Sequence, residues 1–241
     1  MDGTIEAMTP AAYNHGWETE WDDMKKYGPF SRHLRRLLTQ TLQPLAFTSV
    51  LDVGCGQGTL LTDLQTVFPH IRVHGTDVST SAVNLAQARV SGGRFWVLDA
   101  AQEHLDKTFD LVMCSDVLEH IQDDTAVLHN LAHMTGKYLL LATVQGRMRP
   151  SEVKVGHVRN YAYGELVQKV ECSGLSVLQV IEWGFPFYSP LYRNVLEMTD
   201  AKGTTGQFGL GRKLLSQLLY GLFQLNSSKR GDEILVLAQS H

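Results

Sequence analysis

From about Ser49 to Thr143, short continuous runs of apolar residues alternate with segments of helical periodicity. This alternation constrains the fold more than any other feature. "SVLDV" (49–53), "IRVHGTD" (71–77), "RFWVLD" (94–99), "FDLVMCS" (109–115) and "KYLLLATV" (137–144) read as strands covered on both faces, because their apolar residues are contiguous rather than alternating. Helical patterns fall between them near 58–68, 79–90 and 122–134. Repeated βαβ units imply a parallel sheet with right-handed crossovers and an α/β fold. A further helix near 161–172 leads to "LSVLQVIEW" (175–183), and "EILVLAQ" (233–239) is the last apolar run. That makes seven strands, the last two without a helical crossover.

Two segments stand outside this scheme. Residues 1–45 read as a helical cap, in which Tyr13, Trp17 and Trp21, at i, i+4 and i+8, form one aromatic stripe. Residues 184–231 form a second cap, inserted between the last two strands. It contains "GFPFYSPLY", the glycine-rich "KGTTGQFGLG", and an amphipathic helix with Leu214, Leu215, Leu218, Leu219, Leu222 and Phe223 on one side. The core is then 46–183 with 232–241, and the whole is one domain.

"SVLDVGCGQGTLL" places Asp52 at a strand end, followed by Gly54, Gly56 and Gly58 and then a helix. Bare peptide there permits a tight turn and close approach of a ligand to the main chain. The helix N-terminus adds free N–H donors. The dinucleotide fingerprint GxGxxG would need glycine at position 59, which is Thr59, so the spacing is GxGxG instead. Asp77 ends the second strand, where a carboxylate can accept both hydroxyls of a ribose. Asp99 ends the third, where it can accept from an exocyclic adenine amine. Asp116 follows the fourth. All stand on the carboxyl rim, where open α/β sheets bind ligands. So many carboxylates repel a phosphate-bearing ligand and suit a cationic adenosine derivative; each alone could instead cap the helix that follows it.

Bulk properties narrow the classes. A formal net charge of −4 over 241 residues gives no general attraction to nucleic acid or anionic membrane. Cys55, Cys114 and Cys172 are odd in number, widely spaced and without a CxxC pair, which points to reduced thiols and a cytoplasmic setting. "MDGTIEAMTP" lacks the pattern of a signal peptide, and no apolar run reaches the roughly 20 residues of a membrane helix. Stable membrane insertion is therefore not expected.

"VLDVGCGQGTLL", "HGTDVS", "FWVLDA" and "FDLVMCSDVLEHI" resemble, in order and spacing, the motifs of class I S-adenosylmethionine-dependent methyltransferases over residues 48–145. "FDLVMCSDVLEHI" resembles the branch acting on small molecules such as quinone precursors and natural products, and "GHVRNYAYGEL" (156–166) is similar to a segment some members carry. The resemblance implies a Rossmann-like, seven-stranded, mostly parallel sheet whose last strand is antiparallel. It implies S-adenosylmethionine as cofactor. Asp52 and the loop Gly54, Cys55, Gly56 and Gly58 would hold the methionine portion, Asp77 and Val78 the ribose, and Asp99 and Ala100 the adenine edge. Ser115 would line the sulfonium side.

The methyl on a sulfonium is already activated, so transfer rests largely on positioning, with a base where the acceptor must lose a proton. His157, after the fifth strand, and His120, after the fourth, are the candidate bases; each could equally be a structural histidine. His129 and His133 lie four apart on a helix without an evident third ligand, and "QDDTAV" reads as acids in a helix's first turn. No metal is expected. "CSDV" is not the Asp/Asn-Pro-Pro-aromatic pattern of enzymes that methylate base amines, so nucleic acid is not the expected partner. An apolar pocket for a small-molecule acceptor is expected from Trp17 and Trp21 in one cap and Trp183, Phe185, Tyr188 and Tyr192 in the other. Arg147 or Arg149 could meet an acidic group on that acceptor. The reading is methyl transfer to oxygen, less readily nitrogen, of a small, partly hydrophobic metabolite. The rivals are a non-catalytic accessory protein that binds the same donor and a nicotinamide-dependent oxidoreductase. The sequence leaves the oligomeric state open.

Overall fold

The computed structural model describes residues 8–198 and 204–241. In chain order the elements are α1 (Pro10–Thr19), α2 (Trp21–Tyr27), α3 (Pro29–Leu42), β1 (Ser49–Val53), α4 (Thr59–Val67), β2 (Arg72–Asp77), α5 (Thr80–Arg89), β3 (Arg94–Val97) and β4 (Phe109–Ser115). A short 3-10 turn, Leu118–His120, precedes α6 (Asp124–Met134) and β5 (Thr135–Val144). Then come α7 (Pro150–Lys154), α8 (Glu165–Cys172), β6 (Ser176–Trp183), α9 (Arg193–Met198), α10 (Leu210–Phe223) and β7 (Glu233–Gln239). The first seven residues and part of the glycine-rich stretch from Lys202 lie outside the described residues.

The seven strands form one sheet in the order β3-β2-β1-β4-β5-β7-β6. All neighbours are parallel except β7, which runs antiparallel between β5 and β6. The contiguous apolar runs now have a cause: successive residues serve opposite cores. Val50, Val73, Leu111, Met113 and Leu140 face one side with Leu34, Leu38 and Leu42 of α3, Leu61 and Leu64 of α4 and Phe223 of α10. Leu51, Val53, Val112, Cys114 and Leu139 face the other, with Val127, Leu128 and Leu131 of α6 and Leu166 and Val170 of α8. β1 and β4 are the inner strands, so both faces of each are dry.

The structure corrects several expectations. The N-terminal helix breaks at Glu20, so Tyr13, Trp17 and Trp21 do not form a straight stripe. Trp21 folds back over Gly16, where a Cβ would lie 2.5 Å from its ring, and it meets Trp17 edge-on at 5.3 Å. β3 ends at Val97, so Asp99 sits in the loop beyond it. The helix expected from 161 begins at Glu165, after Gly164 in the left-handed region. α7, a π-helical turn at Phe187–Tyr192 and α9 had no recognisable periodicity in the sequence. Asp123 caps α6 through Ala126 N, while Asp124, in the first turn, is buried.

Asp124 is 3% exposed and ties α6 to the segment before and within α8. It accepts from Tyr161 Oη at 2.8 Å and Lys169 Nζ at 2.7 Å, and it pairs with Arg159. Burial pushes its carboxyl up, but Lys169, Tyr161 and Arg159 together outweigh this and hold it below its ordinary range. Asp124→Ala is expected to cost about 2–3 kcal/mol, because a buried phenol and two cations lose their acceptor. Urea unfolding checks this. With the folded pKa depressed, the Asp124 contribution is complete above the unfolded Asp range and is lost as pH falls through and below it, so the gap between wild type and variant should shrink in acid.

Candidate functional site

The carboxyl rim is built outward from the turn joining β1 to α4. Thr76 O, near the end of β2, accepts from Gly54 N at 2.8 Å and from Cys55 N at 2.9 Å. Asp77 Oδ2 accepts from Gly56 N at 2.9 Å, and its Oδ1 accepts from Ser79 N at 2.9 Å. One strand end thus fixes the loop that leaves its neighbour. Gly54 and Gly56 have φ of +77° and +53°, where a Cβ is strained. A Cβ would also lie 2.2 Å from Val117 Cγ2 at Gly54 and 2.4 Å from the Trp17 ring at Gly56.

Two buried carboxylates stand beside this loop. Asp52 is 3% exposed; burial, Asp77 and Asp116 push its pKa up to about 8 against the pull of Lys25. Burial also raises Asp77, opposed by the Ser79 and Gly56 amides and by Lys25. Both groups would be relieved by a cation placed among them. Asp116 follows β4 with φ of +56° and pairs with Lys25 of α2 at 3.0 Å. Ser115 ends β4 half-buried, and Val78 is half-buried after β2. Asp99 is exposed, and its Oδ1 accepts from Ala101 N at 3.0 Å. Ala100 is buried, its carbonyl accepting from Asn130 Nδ2 at 2.9 Å. Burial pushes the Cys55 and Cys114 thiols up, so neither is a reactive thiolate.

α1 and α2 close over this rim. Asn14 Oδ1 accepts from Ser79 Oγ at 2.6 Å and Ser81 N at 3.2 Å. Glu18 accepts from Ser81 Oγ, and Arg89 makes a two-pronged pair with Asp22 at 2.8 and 3.1 Å. Trp17 lies directly on Gly56.

The two candidate bases come together. The His120 and His157 rings are 4.7 Å apart, and the Tyr13 ring is 6.3 Å from His120. Close to both is Glu119, 3% exposed, which accepts from Thr143 Oγ1 at 2.7 Å. Burial lowers the His157 pKa, Glu119 opposing and His120 adding to the fall, so the imidazole is neutral near pH 7. The Nδ1 atoms of both histidines are buried without a hydrogen-bond partner.

The aromatic residues at the end of β6 and in the segment after it split into two sets. Trp183, Tyr188 and Tyr192 stack with Phe30, His33 and Phe223 in the interior. Phe185 instead lies beneath the Arg230 guanidinium, 4.1 Å away. Arg147 is exposed. Arg149 is buried and shared between Ser189 Oγ at 3.4 Å and Asp232 at 3.5 Å, with Nη1 unpartnered. Beside it Arg193 pairs with Glu152, with Asp232 at 3.3 Å and with Glu233 at 3.8 Å. Burial pushes Glu233 up to about 8 in spite of Arg193.

Sequence reasoning missed Glu119, Asn14, Lys25, Arg193 and Glu233. Glu119, adjacent to His120 in "LEH", carried a local signal; the others become functional neighbours only through tertiary contacts. His129 and His133 do not face one another as a pair. The His133 ring neighbours His104, at 4.1 Å between ring centroids, with Asp106 close by. A second group able to hold a metal is Glu119 with His120 and His157.

A Rossmann-like sheet with a bare first turn and an acidic carboxyl rim defines a nucleoside-binding α/β domain. A family model described as a methyltransferase domain matches residues 51–137, from β1 into β5. A ubiquinone biosynthesis O-methyltransferase of Thiobacillus denitrificans is 31% identical over 140 residues, covering 54% of this chain and 58% of that protein. The polyketide synthase ThaQ of Burkholderia thailandensis is 31% identical over 118 residues, 44% of this chain and 6% of the synthase. The chain thus spans about half the length, or less, of these curated relatives. The magnesium protoporphyrin IX methyltransferase of Synechocystis, solved with bound S-adenosylhomocysteine, shares the fold with a TM-score of 0.54 at 18% identity, over 87% of this chain and 81% of that one. The methyltransferase-domain match covers residues 51–137, and over most of the chain the fold is shared with solved methyltransferases. Among the described residues no helix is long and apolar enough to cross a membrane.

Asp77→Asn keeps the size of the side chain but can no longer accept at both oxygens. It is expected to weaken S-adenosylhomocysteine binding at least about tenfold, equivalent to about 1.4 kcal/mol. Isothermal titration calorimetry measures this, and circular dichroism verifies the fold.

Proposed function

We propose that the chain transfers a methyl group from S-adenosylmethionine to an oxygen, less readily a nitrogen, of a small and partly hydrophobic acceptor. One observation carries this reading. Asp52 and Asp77, buried beside the bare Gly54–Gly56 peptide, have raised pKa values that a cationic ligand would relieve. This arrangement is hostile to a pyrophosphate. The relatives named for O-methylation favour oxygen as the acceptor atom.

In this reading Asp52 and the Gly54–Gly58 loop, with Cys55, hold the methionine portion. Asp77 and Val78 take the ribose, Asp99 and Ala100 the adenine edge, and Ser115 the sulfonium side. The bound donor supplies an already activated methyl group. What remains for the chain is to hold the acceptor oxygen in line, exclude water and accept its proton. His157 is the base: its neutral imidazole is available at neutral pH, and Glu119 stabilises it once protonated. His120 flanks it, and α1 with Trp17 shields the rim from water. Trp183 and Tyr188, packed in the interior, back the apolar wall, half-buried Tyr192 lines it, and Trp21 stands on the lid side. Arg149, with one free Nη, or exposed Arg147 would meet an anionic substituent, and half-buried Phe185 would add to the apolar surface.

Incubating a small-molecule library with protein and donor, and reading by mass spectrometry, should reveal an acceptor that gains one methylene mass. Binding of the donor without transfer to any compound would favour the accessory reading. With an acceptor in hand, His157→Ala should lower kcat about 10²- to 10⁴-fold. Because burial lowers the His157 pKa, the acid limb of the wild-type kcat profile should fall below the ordinary histidine value of about 6.5. Trp17 rests on Gly56, so S-adenosylhomocysteine should change its fluorescence, and the change should vanish in Trp17→Phe.

A further inference from the structure

The connection between β3 and β4, residues 98–108, forms neither strand nor helix, yet it carries Asp99 and Ala100. It is tied to α6 at both ends. Near its start Asn130 Nδ2 donates to Ala100 O at 2.9 Å. Further along, Leu105 N reaches Met134 Sδ at 3.4 Å, and the His104 ring lies 4.1 Å from the His133 ring at 43°. His104 Nδ1 is 3.9 Å from Asp106 Oδ1. One donor atom from each of His104, Asp106 and His133 lies within 4.8 Å of the others.

Two imidazoles at this distance do not hydrogen-bond to one another, and they repel if both are protonated. His104 Nδ1 makes a long contact with Leu105 O, at 3.4 Å, besides its 3.9 Å approach to Asp106. The site also lies in the last turn of α6, where the helix dipole favours positive charge. Two imidazole nitrogens and one carboxylate form a donor set for zinc-class ions, with ligand distances near 2.0–2.2 Å; magnesium and calcium require oxygen-rich shells. Side-chain rotation of about an ångström would close the three donors on such an ion.

We infer that His104, Asp106 and His133 bind a divalent transition-metal ion, with water completing its shell, and that the ion clips the loop bearing Asp99 and Ala100 onto α6. The ion takes part in no chemical step. It restrains the adenine wall, so it tightens the nucleoside ligand by reducing the ordering that binding must supply. This second half rests on the cofactor reading above; the metal site itself does not.

The test uses the full chain freed of metal. Zn²⁺ is titrated by calorimetry, and Co²⁺ serves as a visible-absorption probe of nitrogen ligation. The expected result is one Zn²⁺ per chain, weakened more than about tenfold in His133→Ala and in His104→Ala, and about tenfold in Asp106→Asn. His133 is exposed, so its variant should fold; circular dichroism verifies this. Binding should survive His157→Ala, which removes a donor of the other group. Zn²⁺ should then tighten S-adenosylhomocysteine about threefold in wild type and not in His133→Ala. Zn²⁺ binding that ignores His104 and His133, or that disappears with His157, overturns the site. Zn²⁺ binding without any effect on S-adenosylhomocysteine overturns the coupling. A chain that takes up Zn²⁺ through His133 but never binds S-adenosylhomocysteine sinks the cofactor reading instead and leaves the metal site standing.

Discussion

The Asp77 carboxylate, held between the amides of Gly56 and Ser79, is the contact on which the rest of the rim depends. It lies at the end of one strand and fixes both the turn that leaves the neighbouring strand and the turn that begins its own helix. Its desolvation is costly, as its raised pKa records. Two charge-assisted hydrogen bonds offset part of that cost. Because Thr76 O also gathers Gly54 N and Cys55 N, the β1–α4 loop cannot rearrange without unpicking the end of β2. A ligand site built this way has its main chain set in place before any ligand arrives.

The lid uses weaker and more exposed contacts. Asn14, Glu18, Asp22 and Lys25 reach across to Ser79, Ser81, Arg89 and Asp116. Each is a surface or half-buried interaction worth about a kilocalorie or less. The indole of Trp17 adds apolar contact over Gly56. The contrast between a rigid cradle and a loosely latched cover suits a site that must admit a charged ligand and then keep water out.

The seven strands were legible because apolar residues at successive positions can be satisfied only between two cores. The glycine loop and its acids were legible because their residue types have few other uses at a strand end. What escaped notice had no local signature. The break at Glu20 follows from Trp21 finding a better surface over Gly16 than along the helix. The turn at Phe187–Tyr192 and the helix at Arg193–Met198 follow from burying Arg193 against Glu152, Asp232 and Glu233, residues scattered over more than eighty positions. The meeting of His104 with His133 joins a loop to a helix that sequence spacing does not relate. For Trp183 and Tyr188, an aromatic-rich segment could be read equally as pocket or as core, and the rings stack with Phe30 and Phe223.

The placement of β7 has a consequence for synthesis. Among the described residues β6 is hydrogen-bonded to no strand but β7, and β7 follows it only after the whole 184–231 excursion. As the ribosome delivers the chain in order, β6 waits without a strand partner until β7 is made. The five parallel strands can zip together earlier. This part of the newborn chain is therefore most prone to stick to its neighbours during the interval before β7 slides between two strands that are already there.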